Sequence, residues 1–189
     1  YAPLDAEQRA RRRKKRGWEG RFVFLHVGAG TPNKNLKMLL QAFASVAHSV
    51  GRDGGDRDGG WWGGKGTLRP TGKQQSRPLL VLKGLEALYG SSAKAKEALQ
   101  AISPPLSVDG PDADVEIIGA QLSAADMAAM YQSADAYVSA SMAEAFQLPL
   151  AEATAAGLQV VAPAGGAAEA VIDSRHPVLA PSILDPRSS

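Results

Sequence analysis

The sequence predicts an α/β fold, a Rossmann-like parallel sheet flanked by helices. Two observations carry this expectation. Short, continuously apolar runs recur along the chain, as expected of strands buried on both faces of a parallel sheet. Between them lie segments whose apolar residues return at helical spacing, and strands alternating with helices imply parallel pairing through crossovers. At 189 residues, 44% hydrophobic and 21% charged, the chain has the make-up of one globular domain that buries a core without metal or disulfide support.

The elements follow in order. Phe22 to Val27 form the first apolar run, and His26 within it reads as a core or sheet-end histidine rather than a catalyst. The loop Gly28-Ala29-Gly30-Thr31-Pro32-Asn33-Lys34-Asn35 leads into a helix with Leu36, Leu39, Leu40, Phe43, Val46 and Ala47 on one face. Backbone amides at such a helix start favour an anion, and Lys34 adds a mobile positive charge. The spacing is neither the P-loop pattern nor the dinucleotide fingerprint. Residues 51–78 are rich in Gly, Asp, Arg and Lys and predict a flexible insertion, because such a composition buries too little apolar surface to offset its ordering entropy. Their alternating aspartates lack the terminal glutamate of a calcium loop, and Trp61 and Trp62 are expected to tuck against the body.

Leu79 to Leu82 make a second strand, ending at Lys83 and Gly84. Lys83 is either a phosphate ligand or a solvated strand end. Residues 93–102 look helical, residues 104–111 form a loop, and Val115 to Ile118 make a third strand closed by Gly119. Ser123 reads as a helix N-cap with Asp126 in the first turn, and Met127, Met130, Tyr131 and Ala134 line the buried face of that helix. Ala136 to Ser139 form a fourth strand that delivers Ser141 and Glu144 to its carboxyl end. Pro149 suits a helix start and Gly157 its left-handed close, with Glu152 expected in the first turn. Gln159 to Ala162 make a fifth strand, and a helix begins near Glu169. Ligands of parallel α/β sheets bind outside the carboxyl ends of the strands, where Lys34, Lys83, Glu144 and Glu152 are all expected.

Net charge is +2 but unevenly placed, with eight Lys/Arg against three Asp/Glu in residues 1–21. Residues 1–20 are expected to be a basic leader or interdomain linker, and residues 21–189 the domain. The run from Arg9 to Arg16 reads as a solvated linker or helix end; a contact with nucleic acid, anionic lipid or an import receptor is the alternative. The absence of cysteine excludes disulfides, thiol catalysis and zinc–thiolate sites and favours a cytoplasmic or other reducing compartment. No apolar run approaches the roughly 20 residues of a membrane span. Tyr1 is not a natural start, so the chain is expected to be part of something longer.

Residues 141–157 run Ser-Met-Ala-Glu-Ala-Phe-Gln-Leu-Pro-Leu-Ala-Glu-Ala-Thr-Ala-Ala-Gly. This stretch resembles the S-x-x-E-G-F-G-L-P-x-x-E-A-x-A-x-G signature, with its E-x7-E pair, of the retaining GT-B glycosyltransferases called glycosyl transferases group 1 (family 4). Ser133-Ala-Asp135-Ala-Tyr-Val resembles the usual lead-in. Val160-Val161-Ala162 through Gly165-Gly166 to Glu169 resembles the tail, and Val27-Gly28 with Lys34-Asn35 the phosphate loop. The similarity spans roughly residues 20–175 apart from the insertion.

The resemblance implies the C-terminal, donor-binding half of a GT-B fold, with the acceptor domain outside this chain. It implies a nucleoside-diphosphate sugar as donor substrate, an unknown acceptor, and no cofactor or metal. Glu152 would accept hydrogen bonds from the ribose diol. Glu144 would lie beside the donor sugar and departing diphosphate, and Lys34 would neutralise the charge building there. Backbone amides of Ala145, Phe146, Gln147 and Leu148 would hold sugar or phosphate oxygens. Gly28 and Ser141 belong to the same site, Lys83 is a candidate for it, and Ile118 and Gly119 would edge the base. The sequence departs from the pattern at Ala29, where the family has arginine, and at Ala145 and Gln147, where it has glycine. Those departures motivate two further readings, a degenerate, non-catalytic binding module and, remotely, nucleic-acid binding through the basic leader.

Overall fold

The computed structural model describes residues 3–52, 77–84, 86–108, 110–164, 167–172 and 179–180. Most of the predicted insertion, including Trp61 and Trp62, lies outside the described residues, as do Gly165 and Gly166. Among the described residues six strands, β1 (Val23–Val27), β2 (Leu79–Lys83), β3 (Val115–Ile118), β4 (Ala136–Val138), β5 (Gln159–Pro163) and β6 (Leu179–Ala180), pair in parallel in the order β3-β2-β1-β4-β5-β6. Five were expected; β6 is only two residues long and carries no periodic signal. Among the described residues, no helix is long and apolar enough to cross a membrane.

The strands alternate their side chains between two helical layers, as a period of two requires. Val23, Leu25, Leu79 and Val81 face Met130 and Tyr131 of α5 (Ala124–Ser133), Leu150 and Ala153 of α6 (Leu148–Ala155), and Ala168 of α7 (Ala167–Val171). Leu80, Leu82 and Val138 face Leu39, Leu40 and Phe43 of α2 (Leu36–Arg52) and Leu99 of α4 (Ser91–Gln100). A one-turn helix, α3 (Glu86–Tyr89), precedes α4. Chain order reverses between β1 and β4, which makes their carboxyl ends the topological switch point of the sheet.

The basic run is a docked helix rather than a solvated linker. Asp5 caps α1 (Ala6–Arg16), accepting from the Gln8 amide at 2.8 Å, and Gly17 closes it at φ +70°. Three of its arginines bond to residues 132–135. Arg9 donates to Asp135 Oδ1 at 2.6 Å, and Arg12 donates to Gln132 Oε1 at 2.7 Å. Arg13 is buried; it donates to Asp135 Oδ2 at 2.9 Å and to the carbonyls of Ser133, Trp18 and Arg21. Asp135 also accepts the Val23 amide at 2.8 Å, so one carboxylate ties α1 to the start of β1. Trp18 is 1% exposed and donates to Glu116 Oε2 at 2.8 Å, with Arg16 stacked over its ring.

Candidate functional site

Two loops meet across the switch point. The first runs from Gly28 to Asn35 after β1 and contains a 3-10 turn at Pro32–Lys34. The second runs from Ser139 to Gln147 after β4. They are stitched by backbone and side chain: the Met142 amide donates to the Asn33 carbonyl at 2.8 Å, and Asn33 Nδ2 donates to the Ala143 carbonyl at 3.1 Å. The stitching brings Lys34 Nζ onto Glu144 Oε1, with side chains only 16% and 13% exposed. The two expected catalytic residues are therefore one ion pair spanning the crevice. In the second loop Ser141 is buried, its hydroxyl accepting from Ser139 Oγ at 3.1 Å.

Glu152 lies in the second turn of α6 rather than the first, because the helix begins at Leu148, one residue before Pro149. Glu144 and Glu152 both act on Tyr137: burial first, then these two carboxylates, hold its phenol well above the usual range. The second acid thus shares the field of the first. Phe146 and Leu148, like Met142, expose more than half of their surface. Gln147 takes a left-handed conformation, φ +56°, and its Oε1 is buried without a hydrogen-bond partner. Ala145 is not left-handed, so of the two altered loop positions only 147 carries backbone strain. Replacing Gln147 with glycine removes the Cβ penalty and the orphaned acceptor against the added chain entropy of glycine, a net stabilisation of about 1 kcal/mol. It would appear as a raised urea midpoint at unchanged slope; a lowered midpoint would mean that contacts of the Gln147 side chain outweigh the strain.

A second hollow adjoins the crevice at the β1–β2 end, lined by His26, Gly28, Gly30, Lys83, Gly84 and Ser91 among others. Lys83 is 5% exposed and donates to the Gly84 carbonyl, which rules out the solvated strand end. Burial holds its ammonium below the usual lysine range. The glycines here are needed for close packing. A Cβ on Gly84 would lie 2.3 Å from Ser91 Cβ, and one on Gly119 would lie 2.4 Å from Ser92 Oγ. Ile118 ends β3 and Gly119 follows it, at the same carboxyl edge but two strands from β1. Sequence reasoning did not single out Asn33, which supplies two of the cross-loop bonds, or Ser91, which accepts the Gly30 amide at 2.9 Å.

The family model described as glycosyl transferases group 1 matches residues 82–186, more than half of the chain. The chain belongs to this family. It is a glycosyltransferase domain, and its fold is shared with the C-terminal domain of a glycosyl transferase group 1 family protein, LpcC, from Francisella tularensis. That structure is 18% identical with a TM-score of 0.60, over 96% of this chain and 77% of that one. WaaG, a glycosyltransferase involved in lipopolysaccharide biosynthesis, is 19% identical with a TM-score of 0.55, over 89% of this chain. The glycosyltransferase domain spans 36% of the WaaG chain. At these identities the likeness is one of fold. No curated protein gives a significant match.

Proposed function

We propose that this glycosyltransferase domain binds a nucleoside-diphosphate sugar as donor, for transfer of the sugar with retention to an acceptor held by another part of the enzyme. The observation that carries the reading is the Lys34–Glu144 pair lying across the switch-point crevice. An ammonium has three donors and Glu144 takes one, so two remain for diphosphate oxygens. Positive charge held in a crevice of low dielectric stabilises the leaving diphosphate as its charge grows. Backbone amides of residues 145–148 would hold sugar or phosphate oxygens, and the N-terminus of α6 would add its partial positive charge. Glu152, one helical turn beyond, has the two acceptor oxygens that a ribose diol needs, and the edge at Ile118 and Gly119 is left for the base. Titrating the folded 189-residue chain with UDP, GDP and ADP by calorimetry tests the reading; heat of binding from at least one is expected, and none from any sinks it.

Gln147 favours a second reading. Its left-handed backbone and orphaned amide oxygen sit where a sugar would be gripped, and Ala29 leaves the phosphate loop short of one cation. A degenerate donor-binding module would show neither sugar transfer nor donor hydrolysis in the longer natural protein, whereas measurable turnover there excludes it.

A further inference from the structure

His26 is a buried titratable group that the donor-site reading leaves unused. It is 4% exposed, stands one residue before the end of β1, and lines the hollow that Lys83 and Gly28 share. Its Nδ1 lies 3.0 Å from the Val138 carbonyl of the neighbouring strand. A carbonyl only accepts, so Nδ1 carries the proton and Nε2 of the neutral ring presents a lone pair. Nε2 has no hydrogen-bond partner among the described residues. It packs closely beside Gly28 and Lys34: a Cβ on Gly28 would come within 3.0 Å of it and within 3.3 Å of the Lys34 side chain. The hollow that His26 and Gly28 line thus adjoins the residue that pairs with Glu144.

The charges of the crevice sharpen what that space can take. Lys34 and Lys83 are opposed by Glu144 and Glu152, which leaves these four groups with no net charge. A nucleoside diphosphate brings about two or more negative charges. Resting on the donor-site reading above, we propose that His26 is a proton-linked contact for the diphosphate. As the phosphates enter, the imidazole takes up one proton from solvent and donates Nε2–H to a phosphate oxygen.

The groups that face the ring fit this. Lys34 from the β1 loop opposes a charged ring, whereas Glu144 from the β4 loop and the Val138 carbonyl favour it. Tyr137 of β4 stays a neutral phenol and donates to the Val27 carbonyl at 3.4 Å. Burial, the largest influence, holds the free imidazole below its ordinary range, so the ring enters the encounter neutral. A bound anion beside Nε2 raises it. Linkage then fixes the sign: affinity increases as pH falls through the bound-state value and levels off below the free-state value, approaching tenfold per pH unit in between.

Calorimetry of UDP and GDP binding near neutral pH, in buffers of contrasting ionisation heat, tests this on the 189-residue chain. The expected result is uptake approaching one proton per nucleotide bound. In His26→Gln, which keeps a polar side chain and the nucleotide's own titration, that uptake should disappear and affinity should fall several-fold at the lower pH. Titration of the His26 ring by NMR in the unmodified chain, with and without UDP, reads the same event without relying on a variant. Nucleotide binding without proton uptake, or uptake that persists unchanged in a folded His26→Gln chain, overturns the proton link and leaves the donor-site reading standing. No binding by either nucleotide or by ADP overturns both.

Discussion

Replacing Lys34 with alanine is expected to lower affinity for a nucleoside diphosphate by about 100-fold, roughly 2.7 kcal/mol. The loss has two parts. One is the missing cation; the other is the carboxylate of Glu144, 13% exposed and now facing the phosphates without compensation. The parts separate in the double variant Lys34→Ala/Glu144→Ala, which should recover some of the loss because the repulsive acid is gone. Calorimetric titration of UDP into the three chains checks this. If the double variant binds more weakly than Lys34→Ala, Glu144 contacts the ligand favourably and its main role is not to hold the lysine.

Asp135→Ala is expected to cost about 3–5 kcal/mol of folding stability, the range for leaving a buried charge unpaired. Arg13 would keep three carbonyl partners but lose its counter-charge, Arg9 would lose its ion pair, and the Val23 amide would lose its acceptor. Urea unfolding monitored through Trp18 would show the shift. A loss below about 1 kcal/mol would mean that the carbonyls alone satisfy the guanidinium.

The first five strands were legible because each is a mainly apolar run bounded by turn residues, and their parallel pairing follows from alternation with helices. The cap at Ser123, which accepts the Asp126 amide at 3.1 Å, was equally plain, since capping is a local interaction. Docking of α1 was not. Its helix is mostly charged, and the burial of Arg13 depends on Ser133 and Asp135, 120 and 122 positions away. Likewise the sequence marked Lys34 and Glu144 by residue type and place, but not as a pair, because what joins them is a loop-to-loop hydrogen-bond pattern centred on Asn33. His26 looked like a core residue and is one. What no spacing reveals is that its ring lines a hollow beside Gly28 and Lys83, which depends on how β1 and β2 pair.

The seam between the Gly28–Asn35 loop and the Ser139–Gln147 loop bears on how binding energy is spent. Loops from opposite halves of a sheet normally retain independent motion, and a ligand that bridges them must freeze it at a cost in conformational entropy. Here Asn33, Met142 and Ala143 have already imposed that order during folding. A ligand spanning β1 and β4 therefore meets a floor laid in advance. Its association should draw little on further ordering of the backbone, giving a heat-capacity change set by the surface it covers rather than by folding of the loops around it.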